Sequence, residues 1–176
     1  MSANNYGVYL FRHIQTNQIL VSLRQNMKNK ALHQLGNTNR PVRLRKDLWR
    51  PLVALTGFNT PQSAQAVSDA LLHRSKAKRD DLRSSPEYLS RPKRLRIVDE
   101  MNMVENSVIS LREALEAVGA KSEQKLLALW EQPRFMELKG DKDWPSFLEH
   151  GQLVLKNNRF VKEEEAAAVE EKQQVA

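Results

Sequence analysis

Three clusters of cations stand between residues 40 and 96: Arg40, Arg43, Arg45, Lys46 and Arg50; then Arg74, Lys76, Lys78 and Arg79; then Arg91, Lys93, Arg94 and Arg96. The chemistry open to them is phosphate contact. An arginine fork matches two phosphate oxygens at once, and its weak hydration lowers the cost of stripping water from it. A lone run of charge is usually a solvated face. Three runs this close together, two of them beside prolines (Pro41 and Pro92), point to a nucleic-acid partner. The clusters lack the repeated aromatic interleaving that a stacking platform for unpaired bases requires. No zinc finger, RNP aromatic pair or GXXG loop is present either. The expected mode is therefore recognition of backbone and shape in folded RNA or duplex DNA. Arg94 and Arg96 alternate with Leu95 and Ile97, a pattern suited to lying along a surface with the arginines outward.

The charge of the whole chain supports this assignment. Residues 1–98 carry 18 Lys and Arg against 5 Asp and Glu, a net of +13, while residues 99–176 carry 10 against 16, a net of −6. A surplus of +13 repels itself on compaction unless a polyanion neutralises it. The first half reads as the face toward nucleic acid, and the second as scaffold with an acidic tail.

Other chemistries have little support. With no cysteine there is no disulfide, zinc–thiolate site or thiol nucleophile. His13, His33, His73 and His150 never form an HxxxH or HExxH pair. Asp141 and Asp143 share a loop, but Lys142 between them argues against a cation site. Trp49 and Trp144 can stack on a base, although burial against a small core is the commoner fate of so large a ring. No metal, cofactor or small-molecule substrate is expected. No apolar run reaches the roughly 18 residues of a membrane span. Met1 to Tyr6 resembles neither a matrix-targeting nor a secretory peptide, so any such signal is expected to be internal or already removed.

The elements that must position these residues follow from pattern. Gly7 to His13 and Gln18 to Leu23 are β-branched and aromatic around the polar break Gln15-Thr16-Asn17, as in a β-hairpin. Residues 24–35 have helix-permissive composition closed by Gly36. Residues 37–41 are loop. Leu52-Val53-Ala54-Leu55, within Trp49 to Phe58, is short enough for a buried strand. Thr60-Pro61 makes an N-cap with proline at N1, opening a helix to about Arg83 with Ala64, Val67, Leu71 and Leu72 on its inner face. The basic end of that helix, Arg74 to Arg79, is expected to project from the core. Ser84 to Arg96, with two prolines, reads as extended. A second helix is expected from Asp99 to Val118 on a stripe of Val104, Val108, Leu111, Leu115 and Val118, ended by Gly119. Lys125 to Trp130 reads as a strand, and Trp144 to Leu155 as a short terminal element. Lys162 to Ala176, rich in Glu, Ala and Gln, adds nothing to the core.

Two blocks of residues resemble a known family. Val8-Tyr9-Leu10-Phe11-Arg12, Gln18-Ile19-Leu20 with Ser22, Arg40-Pro41 and Leu44-Arg45-Lys46-Asp47-Leu48-Trp49 form the first. Trp130-Glu131, Pro133, Met136, Gly140-Asp141-Lys142 and Trp144 form the second. Together they are similar to the fungal mitochondrial homologous-recombination protein family. The likeness is good over residues 6–58, moderate over 126–150 and mainly one of pattern over 60–120. Members are described both as fungus-specific proteins of the mitochondrial large ribosomal subunit and as factors in mitochondrial DNA recombination and transcription. The resemblance thus implies mitochondrial residence on the ribosome in the matrix, with large-subunit rRNA and neighbouring ribosomal proteins as partners, and DNA as another possible one. The opening hairpin is also similar to that of GIY-YIG nucleases. Tyr9 matches the first motif, but the second strand has neither its tyrosine nor its glycine, and Glu105, Glu113 and Glu116 lie in no recognisable context. If that ancestry holds, the active site is lost, since base and metal ligand are missing.

The expectations are therefore an α+β fold with a small, mainly antiparallel sheet, built from an N-terminal hairpin and later strands and packed by two or more helices, with a degenerate GIY-YIG-like core as one version of it. Residues 1–160 would form a single nucleic-acid-binding domain with basic loops, and 161–176 an acidic tail. The function expected is that of a structural, non-enzymatic constituent of the mitochondrial large ribosomal subunit, binding rRNA through the thirteen cations named above. The alternative is a DNA-binding recombination or transcription factor, and a metal-dependent nuclease stands third.

Overall fold

The computed structural model describes residues 6–119, 125–156 and 159–160. The expected acidic tail lies outside them.

A five-stranded sheet in the order β2-β1-β3-β4-β5 forms the centre. It consists of β1 (Tyr6–His13), β2 (Ile19–Ser22), β3 (Trp49–Phe58), β4 (Leu126–Trp130) and β5 (Leu148–Gln152). All neighbours are antiparallel except β4 and β5. That parallel pair needs a crossover, which residues 131–147 supply. A small second ladder pairs β6 (Leu155–Lys156) with β7 (Arg159–Phe160). The mixed α+β architecture with a mainly antiparallel sheet is the one expected from the sequence.

The register places Val8, Leu10, Val53, Leu55, Ala128 and Trp130 on one face, where none exceeds 2% exposure. Two helices belong to this side: α1 (Pro61–Ser84) and, later in the chain, α4 (Val104–Ala114). Thr60 caps α1 by accepting from the Ser63 amide at 3.2 Å, and Pro61 occupies N1, where its missing N–H costs nothing. Ala64, Val67, Leu71 and Ser75 form the buried stripe of α1; Val104, Val108, Leu111 and Ala114 form that of α4. The opposite face, with Tyr9, Phe11 and Leu20, is closed by Met27, Leu32 and Leu35 from the β2–β3 connection. Pro51 lies in β3 without breaking the sheet. It sits beside a register shift against β1 and beyond the Val53–Thr56 stretch that pairs with β4, so its missing donor is not needed there.

Four expectations fail, each for an identifiable physical reason. Residues 24–35 are not an α-helix; only Asn29–Gln34 forms a 3₁₀ turn. The Gln34 side chain is used elsewhere, accepting from the Val21 amide at 2.8 Å and donating to the Val21 carbonyl at 2.7 Å. It stands in for a neighbouring strand on the open edge of β2. Gly36 is correspondingly not a left-handed helix cap, since Leu35 before it is extended. Residues 84–96 are not extended: α2 (Pro86–Ser90) and α3 (Lys93–Met101) occupy them. The two prolines start helices instead of preventing them. Pro86 is at N1 behind the cap Ser85, and Pro92 immediately precedes α3. The helix expected over 99–118 is divided at Asn102-Met103, because the Met103 amide donates to the Asn17 carbonyl of the β1–β2 turn at 3.1 Å. It then resumes as α4 and ends in a π turn, Leu115–Gly119. The element expected over 144–155 is strand β5. Between β4 and β5 lies a short α5 (Pro133–Met136) with a 3₁₀ turn, Glu137–Lys139.

Candidate nucleic-acid interface

The three basic clusters divide into cations consumed by the fold and cations left to solvent. In the first, the Arg40 guanidinium turns inward. Its Nε and Nη2 donate to the Leu35 carbonyl at 3.2 and 2.9 Å, which satisfies the end of the 3₁₀ turn. Arg50 Nε lies 2.8 Å from Glu131 Oε1, a carboxylate whose side chain is only 6% exposed. Arg45 Nη2 reaches Asp47 Oδ2 at 2.7 Å in the open, and that hydrogen bond holds the Asp47 carboxyl below its ordinary value. Arg43 and Lys46 are exposed and make no ion pair among the described residues.

The second cluster does not project from the core as expected. Ser75 is buried, and Arg74, Lys78 and Arg79 are half-buried. Arg74 and Lys78 share Glu113 Oε2 at 3.8 and 2.6 Å. Burial lowers the pKa of Arg79, with Arg83 adding to the effect. Lys76 alone of this group is exposed and unpaired among the described residues. In the third cluster, Arg91 Nε is 2.6 Å from Asp99 Oδ2, and Arg96 lies over the Tyr88 ring at 5.8 Å. Lys93 and Arg94, in the first turn of α3, are exposed without an ion pair among the described residues.

Glu100 ties these regions together. Its Oε1 accepts from the Tyr88 hydroxyl and from Arg83 Nε at 3.3 Å, and its Oε2 from Asn39 Nδ2 at 3.3 Å. The Asn39 carbonyl in turn accepts from Gln18 Nε2 at 2.9 Å. One carboxylate thus joins the end of α1, helix α2, helix α3 and the loop that leads into the first cluster. No motif or spacing in the sequence marks Glu100.

Trp49 and Trp130 are 3% and 2% exposed. Trp144 packs on Trp130 with ring centroids 5.5 Å apart and donates to the Met136 carbonyl. Trp49 is thus a core side chain, and Trp144 packs half-buried against the core. Asp143 is held by Lys139 within the same segment, and no group of three or more His, Asp or Glu side chains converges as a metal site among the described residues. Tyr9 is buried in the sheet, which raises its pKa. No helix among the described residues is long and apolar enough to cross a membrane.

A further set of polar side chains was not anticipated. Arg12 stands on the inner face of β1, after Val8 and Leu10 in the alternation. Its Nη2 is 4.0 Å from Glu131 Oε2, and its guanidinium lies over the Phe135 ring at 5.3 Å. Arg134 lies over the same ring at 4.9 Å. The available signal was a charged residue at a core position of an otherwise apolar strand.

Residues 6–82 match the family model for transcriptional regulation of mitochondrial recombination. The chain is also 40% identical over 82 residues to "Large ribosomal subunit protein mL67" of the fission yeast Schizosaccharomyces pombe; the match covers 42% of this chain and 46% of the relative. The chain thus matches a little under half the length of that curated relative. The resemblance drawn from the sequence is borne out, and with it the mitochondrial setting. The family match runs from β1 through most of α1 and takes in the first block of motifs; the second, Trp130 to Trp144, lies outside it.

Proposed function

We propose that this protein is a constituent of the mitochondrial large ribosomal subunit and contacts rRNA phosphates through Arg43, Lys46, Lys76, Lys93 and Arg94. Two facts support the ribosomal part: the similarity to a large-subunit ribosomal protein and a sequence net charge of +7. One observation carries the assignment of residues. These five cations are exposed and unpaired among the described residues, whereas Arg40, Arg50, Arg74, Lys78 and Arg91 already have internal acceptors. A cation without an internal partner can neutralise a phosphate and release its counterion without first breaking a contact. Arg45, Arg79 and Arg96 take secondary parts, since each is partly engaged. Residues 1–160 form the binding domain in this reading, and 161–176 are set apart from it by their acidic sequence. The role is structural and non-catalytic.

The test is a sucrose gradient of mitochondrial lysate with the protein followed by immunoblot, before and after RNase. Co-migration with the large subunit that RNase abolishes is the expected result. A position in light fractions indifferent to RNase would overturn it. A second reading, binding of DNA in recombination or transcription, draws on the description of the matching family. It predicts binding to naked duplex DNA in the absence of ribosomes, through the same unpaired cations.

A further inference from the structure

Arg12 is a cation with poor internal acceptors. Its side chain is 11% exposed. Its Nε is buried and has no hydrogen-bond partner. Its Nη1 reaches Asn17 Oδ1 only at 3.4 Å, and Glu131 is 4.0 Å from Nη2. Glu131 is meanwhile engaged by Arg50 at 2.8 Å. Burial pushes the Arg12 pKa down, and the positive charges of Arg134 and Arg50 push the same way against Glu131. Removing a guanidinium from water without close acceptors is costly, and although Glu131 Oε2 is itself without a hydrogen-bond partner, it stands 4.0 Å away, while Arg50 and Arg134 add positive charge beside Arg12.

An open cleft of about 550 Å³ adjoins this cation, a size ordinary for a small-ligand site. Arg12, Arg134, Asn17 and Asn102 present polar groups to it, and its apolar lining is the half-buried Leu138 with the buried Val104 and Phe135. Glu137 also lines it, so that three arginines, Arg12, Arg50 and Arg134, stand against two carboxylates, Glu131 and Glu137. Its frame is fixed: Asn17 holds a left-handed backbone (φ 60°), and its carbonyl accepts from the Met103 amide. Arginines above an apolar wall match an anion joined to a flat or carbon-rich body.

We propose that this cleft is a phosphate-binding subsite, in which Arg12 and Arg134 hold one nucleotide phosphate while Leu138 meets the attached sugar or base. The phosphate comes either from an RNA strand or from a free mononucleotide. The strand arm rests on the rRNA-binding reading above, and the mononucleotide arm does not. The simpler alternative is that Arg12 closes onto Glu131 and needs no ligand.

The experiment uses the full chain, with adenosine 5′-monophosphate and adenosine as calorimetric probes and a fluorescent twelve-nucleotide oligouridylate for anisotropy. Arg134→Gln is at an exposed position and should leave the fold intact; Arg12→Lys keeps the charge and removes the fork. Loss of about tenfold in affinity is expected for each variant, the size of a lost hydrogen bond to a charged group. A loss for both the monophosphate and the oligonucleotide, with adenosine binding at least tenfold weaker throughout, establishes the free-nucleotide arm. A loss for the oligonucleotide alone establishes the strand arm. Unchanged affinity of Arg134→Gln for both probes, or no binding of either by the unaltered chain, overturns the proposal. If charge reversal of Arg43, Lys46, Lys93 and Arg94 removes the protein from the large subunit while Arg134→Gln binds both probes normally, the cleft proposal fails and the ribosomal reading stands.

Discussion

Lys78 Nζ on α1 lies 2.6 Å from Glu113 Oε2 on α4, and the pair joins the two halves of a chain divided by charge. The same pattern recurs at Arg50–Glu131, Arg91–Asp99 and Arg83–Glu100. In each, a cation from the basic half meets a carboxylate from the acidic half. The acidic half is therefore more than inert scaffold. It decides which cations remain available to a polyanion. Glu113→Gln should lower stability by about 1 kcal/mol or less, as expected for partly exposed pairs, while increasing RNA affinity and steepening its salt dependence by releasing Arg74 and Lys78. Urea unfolding together with anisotropy titrations at several salt concentrations measures both; an unchanged salt slope would show that the released cations do not reach the RNA.

Arginines in the same cluster should behave in opposite ways. Arg43→Glu with Lys46→Glu should weaken RNA binding and flatten its salt slope with little change in unfolding, because neither side chain is used internally. Arg40→Gln should chiefly destabilise, by about 1–3 kcal/mol, because it withdraws the donors to the Leu35 carbonyl. Thermal melts and binding isotherms of the two variants should separate these effects, and a large loss of stability in the double variant would contradict the division.

His13 makes stability depend on pH. It is 6% exposed, and its Nδ1 accepts from the amides of Gln15 and Thr16, both at 3.2 Å. Protonation at that nitrogen would end both contacts in the β1–β2 turn, and burial lowers its pKa in the folded state. The unfolded chain then takes up the proton first. Stability is complete above the unfolded value of about 6.5 and falls as pH drops from there toward the lower folded value. His150, lowered chiefly by burial and also by Lys139, acts in the same direction. Urea unfolding at pH 7.5 and 5.5 should show the loss, and His13→Gln should reduce it while leaving the share of His150; an identical loss in that variant would remove His13 as a cause.

Gly57 is required by its backbone. Its φ of +106° is one that side chains disfavour, and a Cβ there would stand 2.8 Å from the Lys125 carbonyl. Gly57→Ala should therefore cost about 1–3 kcal/mol. A shift in the urea midpoint without a change in slope is the signature of lost stability alone, and an unaltered midpoint would refute the strain.

The β-hairpin, strand β3, the start of α1 and the buried stripe of α4 were legible in the sequence because each rests on local rules. Strand alternation, a Thr-Pro helix start and helical spacing of Val104, Val108 and Leu111 act over a few residues. The same local rules misread residues 84–96, because proline breaks a helix from within but starts one at Ser85-Pro86. Residues 24–35 failed for a different reason: only the open edge of β2, formed by distant pairing, gives the Gln34 amide a better use than a helix.

Charge followed the same division. The sequence by itself determined that a strongly basic half precedes an acidic one, because net charge is a sum over residues and needs no geometry. Only the tertiary structure decided which cations are free, since that depends on whether a carboxylate far along the chain arrives within about 4 Å. Glu113, Glu131 and Asp99 arrive beside Lys78, Arg50 and Arg91, and none arrives beside Arg43, Lys46, Lys93 or Arg94 among the described residues. Arg12 shows the same principle inside the core. Its identity is plain in the sequence, but folding places it beside a cleft with its Nε unmatched, because Glu131 lies closer to Arg50, at 2.8 Å, than to Arg12, at 4.0 Å.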